Sequence, residues 1–359
     1  MMQIQWKLLV IGLLLSGCVV KNTAPTNIPT IFQAPTSLPA LNDSATCRTL
    51  DESGMFTSDL KNTHILYQGF NTDTNSEELW VVSLGDGSRK LLAGYPTTSL
   101  GLGWLQDGKH FIIVGTDTIG KVWLGNIDGS PPHEVSITND ILANFQPYSP
   151  IWSELANGII PGVSEYNFGV NFSPDGKKAI IWSQGDTQFV LVDQASHKKT
   201  VIAQTSTQET ISGSWTADSN WFVYSYLQGT PAYYYSQIHM INEKGLEIQD
   251  LTTRFERYSF GTPIISPDGK KIVFPAYHIA DTYVGVLWLD TRKIELYGPV
   301  SPLASSLLER DNIIWSPDSM WVAFFTEWEQ VDIRVIKIDT GQIFCVTQDP
   351  IQEDLMDWR

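Results

Sequence analysis

Positive charge is scarce in this chain, with 23 Lys and Arg against 39 Asp and Glu, and the formal net charge is −16. Phosphate backbones are bound by Lys and Arg gathered on one face, and no such gathering is visible, so nucleic acid is excluded as a partner. A cationic ligand or a basic surface is easier to accommodate. Histidine is equally sparse: six residues fall in six different contexts, without a His-Glu-x-x-His pair or comparable spacing, and neither a metal nor a cofactor is called for. There is no Gly-x-Ser-x-Gly nucleophile elbow and no Gly-rich phosphate loop. Good helix formers are few, and the apolar run Leu8 to Leu15 is too short to cross a bilayer as a helix.

That short run follows Lys7 and reads as an export signal. It ends in Leu15-Ser16-Gly17-Cys18, which resembles the lipobox of bacterial lipoproteins, in which a small residue precedes a Cys that receives a diacylglyceryl group. The resemblance implies a signal peptide over residues 1–17, a lipidated Cys18 and a membrane-anchored, extracytoplasmic protein on the cell surface or the periplasmic side. Residues 18–46 carry Pro25, Pro29, Pro35 and Pro39 among Thr, Asn, Ser and Ala with almost no charge. They read as a tether able to hold the following domain, residues 47–359, several tens of Å from the bilayer.

What the chain does have is 13 Trp, 13 Tyr, 15 Phe, 27 Gly and 19 Pro, a composition suited to many short strands joined by turns. One unit recurs. In Ile264-Ile265-Ser266-Pro267-Asp268-Gly269-Lys270-Lys271-Ile272-Val273-Phe274, Ser opens a turn, Pro fixes φ, Asp bonds back to nearby backbone and Gly takes positive φ between two apolar strands. Worn copies lie at Trp104–Gly108, Phe172–Gly176, Trp215–Ser219 and Trp315–Ser319, and the turn aspartates Asp107, Asp175, Asp218, Asp268 and Asp318 are spaced 68, 43, 50 and 50 residues apart. Periods of this size indicate propeller blades. A further blade is split: Ile65-Leu66-Tyr67, Leu79 to Val82 and Lys90-Leu91-Leu92 read as second, third and fourth strands without a first, and the strand ending at Trp358 supplies it.

These repeats resemble those of TolB-like, WD-repeat-like six-bladed β-propellers over residues from about 60 to 359. The resemblance implies an all-β fold of six four-stranded antiparallel blades, closed by the C-terminal strand in the N-terminal blade. It implies little about activity, because such propellers include binding proteins, sensors and accessory domains of enzymes. Where Ser219 and Ser319 replace the turn Gly, and Gln106 the turn Pro, looser hairpins are expected. The turn aspartates read as structural. The aromatic three residues earlier (Trp104, Phe172, Trp215, Trp315 or Trp358) reads as packing between blades. Cys47 precedes the first blade and Cys345 lies in the outer strand of the last, so a disulfide between them is expected, the alternative being two unrelated apolar cysteines.

Propeller geometry puts first-to-second and third-to-fourth turns on one face, where this sequence is uniformly tight. The other face takes the insertions, expected at 69–78, 137–165, 227–236, 276–283 and 298–312, the last with a capped helical turn. Binding is usually carried by such loops on a rigid scaffold. The candidates there are Phe145, Tyr148, Trp152, Tyr166, Tyr234, Tyr258, His278 and Asp311, aromatic and carboxylate groups suited to a sugar, a peptide or a cation. The same rings serve equally to tuck a long loop onto its own blade. Three readings follow: a binding or scaffold module engaging an envelope protein, peptide or glycan; a glycan- or peptide-directed lyase or hydrolase at the channel mouth; and a structural component of an envelope assembly.

Overall fold

The computed structural model describes Arg48–Thr49 and residues 60–359, except 93, 95–98, 116–121, 137–167, 184–187, 205–212, 231–232, 245–246, 249–250, 253–257, 279–280, 302–312, 328–330 and 348–350. Within the compact unit Ala34–Arg359 the strands form six antiparallel blades in a propeller ring. From the inner strand outward, blade 1 is Ile351–Trp358, His64–Asn71, Ser76–Ser83 and Arg89–Leu92. Blade 2 is Ser99–Trp104, His110–Gly115, Val122–Asn126 and His133–Val135. Blade 3 is Phe168–Phe172, Lys178–Ser183, Gln188–Asp193 and Lys199–Gln204. Blade 4 is Gly213–Trp215, Trp221–Thr230, Tyr233–Asn242 and Glu247–Ile248. In blade 5 the inner strand is divided into Ser259–Phe260 and Ile264–Ile265, both paired with Lys271–His278, and Asp281–Trp288 and Ile294–Ser301 follow. Blade 6 is Ile313–Trp315, Trp321–Glu327, Val331–Lys337 and Gln342–Cys345.

The expected closure is present. Ile351–Trp358 pairs antiparallel with His64–Asn71, placing Trp358 opposite Ile65 and Ile351 opposite Asn71, so the two ends of the ring share one sheet and no open edge is left between them. One strand was not expected. Arg48–Thr49 adds to the outer edge of blade 6 as a parallel fifth strand, Thr49 opposite Cys345, and Cys345 is disulfide-bonded. Cys47 and Cys18 lie outside the described residues.

Repetition in the sequence becomes repetition in the packing. Each pre-turn Trp is buried against the preceding blade: Trp104 with Leu66, Leu79 and Leu92, Trp215 with Ile180 and Phe189, Trp315 with Val273 and Val286, and Trp358 with Trp321 and Phe344. Three indoles also donate Nε1–H to a carbonyl of the neighbouring inner strand, Trp104 to Asp357 (3.2 Å), Trp215 to Asn171 (2.9 Å) and Trp315 to Ile264 (3.0 Å). In every case the acceptor immediately precedes the neighbour's own pre-turn residue. Where that preceding residue is polar, its side chain crosses the seam too. Buried Asp357 accepts the N–H of Trp104 (2.8 Å), Asn171 donates to the carbonyl of Gly213 (2.7 Å) and Ser214 Oγ accepts the N–H of Ile265 (2.9 Å).

The turns behave as read, with one correction. In the Ser266 turn, the hydroxyl donates to Asp268 (2.6 Å) and accepts the N–H of Lys271 (2.9 Å), Asp268 accepts the N–H of Lys270 (3.0 Å), and Gly269 holds φ +69°. The turns ending in Ser219 and Ser319 are not looser. They close with the same bonds, Ser219 N–H to Thr216 and Ser319 N–H to Ser316, and both serines accept positive φ, +58° and +62°. The reason is a bond that a Gly cannot make: Ser219 Oγ accepts the N–H of Asp175, and Ser319 Oγ that of Asp268, each from the preceding blade. Lys178 and Lys271 reinforce the same seams by donating to the carbonyls of Ser219 (3.3 Å) and Ser319 (3.1 Å). Blades 3 and 4 thus join as blades 5 and 6 do, a Gly-Lys-Lys turn locking onto a Ser turn.

Candidate functional site

Three of the five expected insertions are not irregular loops. Gly69 pairs with Glu78, Leu227 with Ser236 and Ala276 with Tyr283, so in blades 1, 4 and 5 the second and third strands run on as long hairpins. Aromatic and β-branched residues such as Tyr233-Tyr234-Tyr235 and Thr282-Tyr283-Val284 favour ladder pairing over loop, and Gly69, Pro275 and Gly285 are accommodated within the paired strands. In the region from 298, the outer strand of blade 5 continues to Ser301; residues 302–312, with the expected helical turn and Asp311, lie outside the described residues, as does 137–167 with Phe145, Tyr148, Trp152 and Tyr166. Tyr234 is paired opposite Gly229 in the blade 4 hairpin.

Tyr258 and His278 are brought together. Tyr258 enters the inner strand of blade 5, and His278 ends the second strand opposite Asp281. Their rings stack with centroids 4.7 Å apart at 24°, and Tyr283 meets Tyr258 edge to face at 6.0 Å. Phe260 lies beneath Tyr258 in parallel, and Phe274 meets Phe260 at 5.3 Å and 90°. Period-two alternation explains the column: Phe274, Ala276 and His278 share one face of their strand, and Asp281 and Tyr283 lie opposite on the same face. Gly285 belongs to this arrangement, because a Cβ there would stand 2.2 Å from the Phe274 ring. The column faces blade 4, whose Ile238, Met240 and Leu251 complete the cluster. Ser236 in the long hairpin of blade 4 donates its N–H to Ser259 Oγ (3.0 Å), which holds the two hairpins side by side.

The outer end of the column is only half-buried at Tyr258, His278 and Asp281, while Tyr283 is buried. Burial raises the pKa of Tyr258, and the charge of Asp281 raises it further. Tyr283 is raised by the same two causes in the same order, with Tyr258 adding to them. Both phenols are therefore protonated at neutral pH and act as hydrogen-bond donors rather than bases. His278 meets Tyr258 face to face, a stacking contact and not a proton-transfer one. The arrangement offers a π surface, two phenolic donors and one carboxylate, a set that takes a sugar ring, a peptide side chain or a cation.

Asp281 and Tyr283 were not among the candidates read from the sequence. The signal for them was present in the alternation from Phe274 to Tyr283, which a loop assignment conceals. Asp357, the buried carboxylate at the seam of blades 1 and 2, was also missed, because nothing in Met356-Asp357-Trp358 marks it as a bridge to Trp104.

No protein-family model and no curated protein sequence matches this chain. Solved structures do. TolB from Acinetobacter baumannii is 16% identical, with a TM-score of 0.54 over 82% of this chain and 66% of that one. A puromycin hydrolase mutant complexed with PGG is 10% identical, with a TM-score of 0.56 over 80% of this chain and 53% of that one. A putative TolB from Agrobacterium tumefaciens is 15% identical, with a TM-score of 0.46 over 83% of this chain and 98% of that one. The chain spans less than two thirds of the first two neighbours' length, and at these identities the likeness is one of fold: this chain is a six-bladed β-propeller of the TolB-like architecture.

Proposed function

We propose that this chain is a lipid-anchored, extracytoplasmic binding module that engages an envelope protein, a peptide or a glycan on the face of its long hairpins. The observation that carries the reading is the Tyr258–His278 stack with Tyr283 and Asp281, held at the seam of two extended hairpins. Binding surfaces favour rigid aromatic groups that combine apolar area with a polar tip, and here both phenols are kept neutral. Proton abstraction at neutral pH needs a group whose pKa lies near 7, and these two move the other way, which weighs for binding over a lyase mechanism at this column. The export signal and Cys18 support placement outside the cytoplasm, at the end of a Pro-rich tether. The strand Arg48–Thr49 lying beside the disulfide-bonded Cys345 supports Cys47 as its partner.

The test is binding of the full chain to peptide and glycan arrays, repeated with Tyr258→Ala. Ligands retained by the parent protein and lost by the variant, at an unchanged unfolding midpoint, are the expected result; an identical ligand profile refutes the site. Release of Cys18→Ser from the membrane fraction checks the anchor, and reducing and non-reducing peptide maps check the Cys47–Cys345 bridge.

A further inference from the structure

The seam between blades 6 and 1 is joined differently from those already described. Between blades 1 and 2, 3 and 4, and 5 and 6, an indole N–H crosses to a carbonyl of the neighbouring inner strand, from Trp104, Trp215 and Trp315. The corresponding indole between blades 6 and 1 is that of Trp358, and its Nε1 is buried without a hydrogen-bond partner. The same holds for Trp321, which packs in the same cluster from blade 6. Ahead of the pre-turn Trp315 stands Ile314, so the polar side chain that crosses from Asp357, Asn171 and Ser214 has no counterpart here. Two orphaned donors subtract from stability, and the contact rests on apolar packing, which is non-directional. Ile65, Tyr67 and Val82 of blade 1 meet Trp321, Ile333 and Phe344 of blade 6.

The same seam is spanned by the segment ahead of blade 1. Arg48–Thr49 lies parallel on the outer edge of blade 6, opposite Phe344 and Cys345. Farther along, Leu60 is buried in the cluster between the two blades. The carbonyl of Thr63 accepts the N–H of Leu84 (3.0 Å), and a Cβ on Gly85 would stand 2.4 Å from the carbonyl oxygen of Lys61. One end of the segment is thus fixed to blade 6 and the other to blade 1. A parallel pairing two residues long does not hold by itself. Beside it, Cys345 is disulfide-bonded, and the other cysteines, Cys18 and Cys47, both lie ahead of blade 1. With either as partner, the bond ties the outer strand of blade 6 to the chain that enters blade 1, closing a loop that runs around the ring.

We infer that Arg48–Thr49 and the Cys345 disulfide form a redox-sensitive strap that holds the seam of blades 6 and 1 shut, and that reduction lets this seam part while those of blades 3 and 4 and of blades 5 and 6 stay closed. An external dithiol supplies the two electrons and two protons: the protein is left with two thiols and the dithiol becomes a disulfide. Arg48–Thr49 then leaves the edge of Gln342–Cys345, and the seam depends on its apolar cluster. Blade 1 carries one of the long hairpins, so a parted seam moves that hairpin against those of blades 4 and 5. The strap stands independently of the binding function proposed above; only this effect on the long-hairpin face rests on it.

The experiment is hydroxyl-radical footprinting of the full chain, read by mass spectrometry at individual tryptophans. It compares the protein with its disulfide intact and the protein reduced with dithiothreitol, alkylated and freed of reductant. Oxidation of Trp321 and Trp358 is expected to rise about ten-fold on reduction, and that of Trp215 and Trp315 to stay as it was. Cys345→Ala should show the reduced pattern without treatment and no further change on reduction; should it fail to fold, the reduced parent protein reads the same quantity. Equal rises at all four tryptophans mean general loosening and overturn the inference, as does protection of Trp321 and Trp358 after the bridge is shown to be gone. That second outcome leaves both the bridge and the binding function standing. A peptide map without a bridge at Cys345 overturns the strap together with the Cys47 pairing, and loss of every Tyr258-dependent ligand overturns the binding function alone.

Discussion

Ser319 in the inner turn of blade 6 accepts through its hydroxyl the main-chain N–H of Asp268 in blade 5, at 2.9 Å, while holding a φ of +62°. Two opposing effects meet at this residue. A left-handed conformation costs a non-Gly residue about 1 to 2 kcal/mol, and a hydrogen bond contributes about 1 kcal/mol. Ser319→Ala keeps the strain and loses the acceptor, and is expected to cost about 1 to 2 kcal/mol in denaturant unfolding. Ser319→Gly loses the acceptor but relieves the strain, and should fall between Ala and the parent. An Ala variant as stable as the parent would show that the bond between the blades contributes nothing.

The acid limb of stability has a defined origin in the same turns. Burial raises the pKa of Asp268, but the Ser266 hydroxyl, the Lys270 N–H and Lys271 outweigh it, and the net direction is downward. Asp175 and Asp218 share the pattern, with burial opposed by Ser173 and Thr216 respectively. A carboxylate with a depressed folded pKa contributes stability that is present above its unfolded value, about 4, and is lost as pH falls through the folded value. Unfolding midpoints are therefore expected to be level above about pH 5 and to decline below it, with a shallower decline in Asp268→Asn. A level profile down to about pH 2.5 would contradict the assignment.

At the opposite end of the scale, the phenols of Tyr258 and Tyr283 ionise above the ordinary value of about 10, and Asp281 is a shared cause. A raised folded pKa means that the folded state gives up its proton later, so this contribution is lost as pH rises through the ordinary tyrosine value. Asp281→Asn removes the charge and is expected to lower both midpoints in a tyrosinate absorbance titration, while leaving burial to hold them above the ordinary range. Unchanged midpoints would place Asp281 too far from the rings to act in the binding column.

The ring was legible in the sequence because its signals are local and repeated. Five turn aspartates and five pre-turn aromatics fixed the number of blades, and Trp358 without a following turn identified the closing strand. The candidate site was only half legible. Tyr258 and His278 were marked by position as candidates of the long-loop face, but their stacking depends on how far the blade 5 hairpin runs, and hairpin length is set by pairing that no single residue announces. Asp281 and Tyr283 became visible only when 276–283 proved to be ladder and not loop. The seam bonds of Ser219 and Ser319 were hidden for a related reason: a Ser at a Gly position reads as a defect until the next blade's N–H is beside it.

Trp358 gives the sharpest test of how the ring is held shut. Its side chain is 2% exposed, packed among Trp321, Val335 and Phe344 of blade 6 and Ile65 and Tyr67 of its own blade, and the adjacent Asp357 accepts the N–H of Trp104 in blade 2. One residue pair therefore ties blade 1 to both neighbours. Removing a large core aromatic costs about 3 to 5 kcal/mol, so Trp358→Ala should lower the unfolding midpoint far more than Trp288→Ala, whose partly buried ring in blade 5 packs at the margin of a cluster beneath Lys293. Deleting 351–359 is expected to have a larger effect of a different kind, since blade 1 then lacks its inner strand and exposes the edge of His64–Asn71 to pairing between molecules. Concentration-dependent association of the deletion variant, with Trp358→Ala remaining monomer-like but less stable, would separate the loss of packing from the loss of closure. Equal midpoints for the two Trp variants would mean that closure rests on main-chain pairing alone.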